Sequence, residues 1–230
     1  MKTTLGSDRS STSTPTRSAL LAGASGLVGR ALLPLLLSDK AYGHTHVLVR
    51  RAWGDAGISP RLTSHVVDFK SLPSLPSVDD VYVALGTTIK TAGSEGAFRS
   101  VDFDAVVETA RAARTEGATR LVVVSALGAD AKSKVFYNRV KGEMQDAVSH
   151  LGFTSVVLAQ PSLLLGNRVA LGQAPRRGEE WAMRLLGPVM GWVPRGVRPI
   201  PATAVASAMV HAMLHATPGV RVLSSAEMQL

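Results

Sequence analysis

The 230-residue chain contains no cysteine. Thiolate catalysis, disulfide bridging and cysteine-based metal sites are therefore excluded, and the redox compartment stays open. Aromatic residues are scarce, at 5%. Acidic residues are also in the minority, 17 against 25 lysines and arginines, giving a net charge of +8 and a pI near 10.3. Such a balance raises nucleic acid as a partner. The basic residues, however, are spread from Lys2 to Arg221 with no basic run and few aromatics between them. The charge reads mainly as a solvated surface that secondarily attracts an anionic cofactor or substrate, and no nucleic-acid partner is expected. No stretch reaches the roughly 18 uninterrupted apolar residues of a membrane span. Histidines do not cluster at metal-ligand spacing; His211 and His215 lie four apart with no carboxylate beside them, so no metal site is expected.

Apolar residues, by contrast, make up 46% of the chain, enough for a large core in one domain. The organising stretch is Ser18–Leu37. An apolar run of strand length enters three glycines, Gly23, Gly26 and Gly29, and a helical pattern follows with Leu27, Val28, Ala31, Leu32, Leu35 and Leu36 on one side. A strand–turn–helix of this kind holds a pyrophosphate. Gly23 permits the tight turn, Gly26 the approach of phosphate to backbone, and Gly29 close packing of helix on strand. The turn and helix start, Ser25, Leu27 and Val28 included, then offer N–H groups to the anion. Pro34 falls inside the helix and is expected to kink it.

Lys2, Arg9 and Arg17 ahead of Ala19–Val28 imitate a secretory signal. Because the apolar run carries the phosphate turn, a cytoplasmic protein is expected instead. Residues 1–17 are nearly free of apolar side chains and read as a disordered tail ahead of a single domain, 18–230. Further strands are expected at Thr45–Arg51, Ser64–Phe69, Asp80–Leu85, Arg120–Ser125, Phe153–Ala159 and Val220–Leu223. Helices are expected at Ala97–Glu116, Phe136–His150 and Pro201–Ala216, with Lys90–Gly96 as loop. This alternation predicts an α/β protein with a doubly wound parallel sheet of Rossmann type. Segment 166–200, rich in arginine, glycine and proline, reads as a flap over the substrate side.

The end of the second strand selects the cofactor. NAD recognition wants an acidic residue about twenty residues past the glycines, and here stand Arg50 and Arg51. Two guanidinium groups suit a 2′-phosphate, so NADP(H) is expected. Asp68 falls at the end of the third strand, where a short polar side chain contacts the adenine amino group in the superfamily that the chain resembles. Leu85, Gly86, Thr87 and Thr88 end the fourth strand and pass beside ribose and phosphates, and Pro161 follows the sixth.

Chemistry is carried by Ser125 at the end of the fifth strand and by Tyr137 and Lys141 four apart on the next helix. A phenol with its usual pKa near 10 is a poor acid–base group; a nearby cation favours phenolate and brings it toward the useful range. Ser125 can hydrogen-bond the same substrate oxygen, and Lys141 can also bind the nicotinamide ribose. Tyr-x-x-x-Lys alone is weak, so the argument rests on its conjunction with the glycine turn and the strand-end serine.

With these residues the chain resembles the atypical short-chain dehydrogenase/reductases, notably the Tat-interacting-protein-type oxidoreductases of the epimerase/dehydratase superfamily. The likeness runs through Gly23–Gly29, Ala84–Thr88, Gly93–Asp102, Ser125–Asp130, Tyr137–Glu143 and Gln160–Leu165. It implies a Rossmann fold, bound NADP(H) and a Ser125/Tyr137/Lys141 centre. Two departures stand out: Val101-Asp102 where extended members carry Val-Asn, and Gln160-Pro161-Ser162 where others carry Arg-Pro-Gly. The leading expectation is an NADPH-dependent reductase of a carbonyl-type small molecule, with Ile89, Leu163, Leu164, Trp181 and Trp192 walling its pocket. A catalytically silent NADP(H)-binding regulator or scaffold is the alternative. A nucleotide-sugar epimerase is disfavoured by the roughly 60 residues after Arg168. A homodimer is left open.

Overall fold

The computed structural model describes residues 16–52, 59–165 and 194–229. Seven parallel strands form one sheet in the order β3-β2-β1-β4-β5-β6-β9: β1 (Arg17–Ala22), β2 (Tyr42–Val49), β3 (Leu62–Val66), β4 (Asp80–Val83), β5 (Arg120–Val124), β6 (Ser155–Gln160) and β9 (Gly219–Ser224). A separate parallel pair, β7 (Leu164–Leu165) and β8 (Ile200–Pro201), flanks it. Strand order reverses between β2 and β4 on either side of β1, which places the ligand crevice at the end of β1. The expected doubly wound α/β architecture is what the chain adopts.

Alternation along the strands assigns the two faces. Ala19 and Leu21 of β1, Val47 and Val49 of β2 and Val122 and Val124 of β5 share one core with α1 (Leu27–Ser38) and the last helix, Ala202–Leu214. Leu20 and Ala22, Leu48, Val81 and Val83, and Leu121 and Val123 face the opposite core. That core is closed by Val106, Val107, Ala110 and Ala113 of the helix at Ala105–Thr115, and by Met144 and Val148 of the helix at Phe136–Ser149. The central strands are buried on both sides and therefore read as near-continuous apolar runs.

Between β4 and β5 lie α2 (Ile89–Ala92), α3 (Glu95–Arg99), a π turn (Ser100–Asp104) and α4 (Ala105–Thr115). The loop expected at Lys90–Gly96 is thus partly helical, since Thr88 and Ser94 cap α2 and α3 by accepting from Thr91 N and Ala97 N. The expected single helix from Ala97 is also corrected: it starts at Glu95 and is interrupted by the π turn. After β5, α5 spans Phe136–Ser149, and α6 is the helix Ala202–Leu214. Pro34 does not end α1, which runs on to Ser38; the prolyl ring is on the exposed side, where the unpartnered carbonyl can reach water. The chain from Val67 to Asp79 carries no helix. Arg17 belongs to β1, so the tail expected over 1–17 overlaps the sheet at its end; residues 1–15 lie outside the described residues. So does most of the expected flap, with Trp181 and Trp192.

At the N-terminal end of the central strands, opposite the crevice, Asp80 is wholly buried, paired with Arg120 and accepting from Tyr42 Oη at 2.7 Å. Burial raises the Asp80 pKa despite these partners, and burial likewise pushes the Tyr42 and Tyr82 phenols upward.

Candidate active site

The glycine turn sits at the end of β1, against the end of β4. Gly23 has φ +91°, and a Cβ there would come within 2.5 Å of Ala84 O. A Cβ on Gly29 would lie 2.0 Å from Gly23 O and 2.8 Å from Ala24 Cα, so the helix can only pack on its own turn without a side chain. Gly26 differs: its Cβ would meet only Gly23 O at 3.2 Å and Ala84 O at 3.7 Å, with no clash of the kind seen at the other two. Gly26 is the N-cap of α1 and has no capping side chain. The N–H groups of the first turn are thus left to an external anion, and the absent Cβ leaves room for it. These residues fit a dinucleotide pyrophosphate. Ser25 is exposed on the turn, and its carbonyl accepts from Arg30 Nε at 3.2 Å; Leu27 and Val28 begin the helix. Arg30 thus adds a cation at the turn that the glycine spacing does not mark.

Arg50 and Arg51 follow β2 and are both exposed. Asp68 lies beyond β3, exposed, with one carboxylate oxygen accepting from Lys70 N at 2.9 Å. Leu85, Gly86, Thr87 and Thr88 form the passage from β4 to α2.

A cleft of about 620 Å³ opens beside this passage, lined by Thr87, Thr88, Ile89, Ser125, Tyr137 and Pro161 together with Leu127, Leu163, Leu164 and Val197. It brings Ser125 and Tyr137 to one space, with the expected apolar walls Ile89, Leu163 and Leu164. Ser125 follows β5, where its N–H donates to Ala159 O at 2.7 Å. Tyr137 stands on the first turn of α5 with its ring 5.4 Å from that of Phe98. Among the described residues its hydroxyl makes no hydrogen bond and remains free for a ligand.

Lys141 departs from expectation. It is not a free cation facing the cleft but 3% exposed, with Nζ 2.7 Å from Asp102 Oδ1 and 3.4 Å from Val124 O. Asp102 is 1% exposed, and its other oxygen accepts from Thr87 N at 2.8 Å. Oδ1 has no aligned hydrogen-bond donor and is held by the ion pair alone. The ammonium charge therefore goes to a buried carboxylate, directly and without an intervening water. Asp102 lies in the π turn, a feature that recurs at functional sites. Its signal was present in the sequence: four residues before Val106, it falls on the apolar stripe of the helix, where a carboxylate needs a buried partner.

Gln145 was also missed. It extends the Tyr137–Lys141 face by one more turn, is 8% exposed, and donates from Nε2 to Ser125 Oγ at 2.5 Å. Gln160 Nε2 donates to Gln145 Oε1 at 3.2 Å. Arg99 on α3 pairs with Glu143 on α5 and secures the helix that carries the tyrosine.

Residues 23–158 match the model of a family described as NAD(P)H-binding. The chain belongs to the NAD(P)H-binding family. Among curated relatives, the mitochondrial protein FMP52 of Coccidioides immitis is 31% identical over 75% of this chain and 74% of its own. The mitochondrial fmp52 of Aspergillus fumigatus is 34% identical over 86% and 88%. The relatives are named as mitochondrial, which contradicts the expected cytoplasmic location. Among solved structures, MoeE5 in complex with UDP-glucose and NAD superposes with a TM-score of 0.65 over 92% of this chain and 79% of that one. At 16% identity, that likeness speaks for the fold.

Proposed function

We propose that this NAD(P)H-binding protein is an NADPH-dependent reductase of a carbonyl-bearing small molecule, acting in mitochondria as its relatives' names suggest. The reading rests on one observation: Ser125 and Tyr137 line the same cleft as Thr87 and Thr88 of the β4–α2 passage. NADPH supplies a hydride to the carbonyl carbon when bound. Tyr137 gives its proton to the oxygen and regains one from water. Ser125 holds that oxygen in place. The turn of Gly23, Gly26 and Gly29 would hold the pyrophosphate, and Arg50 and Arg51 the 2′-phosphate, which gives NADPH over NADH. The motifs shared with Tat-interacting-protein-type oxidoreductases agree with this assignment.

A second reading has its own support. With the Lys141 charge balanced by Asp102, the centre lacks a free ammonium beside the phenol, as suits an NADP(H)-binding regulator that turns nothing over. Screening NADPH oxidation against aldehydes, ketones and quinones separates the two. Oxidation dependent on one carbonyl class, lost in Tyr137→Phe, supports the reductase; tight NADPH binding without turnover on any of them supports the regulator.

A further inference from the structure

We infer that Gln145, held by Gln160, is a positioning residue that fixes Ser125 as a hydrogen-bond donor to the cleft, so that the site selects a ligand oxygen able to accept. The inference rests on the reductase reading and adds to it the polarity of the serine. The geometry runs in one direction. Gln160 Nε2 donates to Gln145 Oε1 at 3.2 Å, which turns the amide so that its nitrogen faces Ser125 Oγ at 2.5 Å. An amide NH2 carries only donors, so Ser125 Oγ must accept in this contact. The Ser125 N–H is already committed to Ala159 O. The one hydroxyl proton of Ser125 is then left for the cleft. Accepting one hydrogen bond also strengthens the one it gives.

The contact between Ser125 and the Gln145 amide is also well enclosed. Ser125 and Gln145 are 4% and 8% exposed, so water competes little for either group. Tyr137, Lys141 and Gln145 recur every four residues along one face of α5. The tyrosine and the glutamine therefore reach the serine's surroundings from the same rigid element. A carbonyl oxygen in the cleft would meet two neutral donors, the Tyr137 and Ser125 hydroxyls. As hydride adds to carbon, the oxygen takes the Tyr137 proton, while Ser125 keeps its own and only donates a hydrogen bond. Gln160 also lies in one of the two stretches at which the chain departs from the pattern of its resemblance. Here that departure supplies the neutral amide that sets Gln145.

Two measurements test this on the full-length protein. The first needs no substrate: side-chain amide NMR of the NADPH-bound protein. The Gln145 NH2 signals should exchange slowly, and Ser125→Ala should shift them and speed their exchange. Gln145 NH2 signals indifferent to Ser125→Ala would overturn the inference, because the amide would then face the other way. The second is the pH dependence of kcat/KM for the best carbonyl of the panel. Gln145→Glu should lose about 10²-fold near neutrality, the scale of one donor lost to a developing oxyanion. It should regain activity as pH falls, when its carboxyl is protonated and can donate again. Gln145→Met should lose activity without that acid recovery, and Gln160→Met should fall between it and the wild type. NADPH titration confirms that each variant is folded. A Gln145→Glu profile parallel to wild type overturns the positioning role even if the amide signals behave as stated. If the wild type reduces no carbonyl, the reductase reading falls and takes the catalytic use of Ser125 with it. The amide spectrum then still reports separately whether the hydrogen-bond relay exists.

Discussion

Gly26 and Gly29 stand three residues apart in one motif, yet replacing each by alanine should produce opposite results. In Gly29→Ala the new methyl would meet Gly23 O at 2.0 Å, Gly23 C at 2.7 Å and Ala24 Cα at 2.8 Å. All three are backbone atoms, so relief requires the turn or α1 to move. Overpacking of this kind costs about 1–3 kcal/mol. In a domain of this size each kcal/mol lowers Tm by roughly 2–4 °C, so Gly29→Ala should melt about 2–12 °C lower even without cofactor. Gly26→Ala meets only Gly23 O at 3.2 Å and Ala84 O at 3.7 Å, and its φ of −79° suits alanine. A slight loss of N-cap preference is offset by about 0.4–1 kcal/mol from the stiffer unfolded chain. Its apo Tm should therefore stay within a few degrees of wild type, while its methyl occupies the space left for the pyrophosphate. The assay is differential scanning fluorimetry with and without NADPH. The wild type should gain Tm with cofactor, Gly26→Ala should keep its apo Tm but gain nothing, and Gly29→Ala should start low. A Gly26→Ala protein stabilised by NADPH as strongly as wild type would refute the assignment of this turn to the pyrophosphate.

Replacing Arg50 and Arg51 together by alanine should bring NADPH and NADH affinities close to each other, read by calorimetric titration. Equal affinities in the unmodified protein would remove the 2′-phosphate role. Tyr137→Phe should keep NADPH affinity and lose roughly 10²–10⁴-fold in turnover, the scale of a lost general acid, in a steady-state assay. Asp102→Asn leaves the Lys141 ammonium buried without its counter-charge and should cost about 3–5 kcal/mol in denaturant unfolding; adding Lys141→Met should restore much of that. Finally, burial, with His44 and His65 nearby, holds the His46 pKa down to about 4, against about 6.5 in an unfolded chain. The unfolded state binds the extra proton between these values. The His46 contribution is therefore complete above pH 6.5 and is lost as pH falls toward 4. His46→Gln should flatten part of the stability-versus-pH slope over that window.

The parallel sheet was legible because strands buried on both faces write their burial directly into Ala19–Ala22, Asp80–Val83 and Leu121–Val124. The glycine turn was legible because its spacing encodes three distinct steric requirements, and Ser125 and Tyr137 because a strand end and a helix start fix where they point. Other features were not. The interruption at Ser100–Asp104 adds a residue to a turn without altering composition, so apolar periodicity passes over it. The Lys141–Asp102 pair joins groups 39 residues apart, and Tyr-x-x-x-Lys spacing leads one to expect the lysine beside the tyrosine when its charge is in fact met from another helix. The β7–β8 pair is two residues long on each side, below what alternation can register.

Asp102 joins two parts of the protein that natural selection would otherwise be free to tune apart. One oxygen holds the N–H of Thr87 in the passage from β4 to α2, and the other holds Lys141 on the helix that carries Tyr137. A lineage that replaces Lys141 while adapting to a new substrate strands the carboxylate; one that replaces Asp102 strands the lysine and frees the passage as well. Replacing either residue alone leaves the other's charge buried and uncompensated, so changes at the two positions should be coupled. Diversification in this protein is thereby steered toward the residues of the cleft wall, Ile89, Leu163, Leu164 and Val197, which can change without disturbing any buried charge.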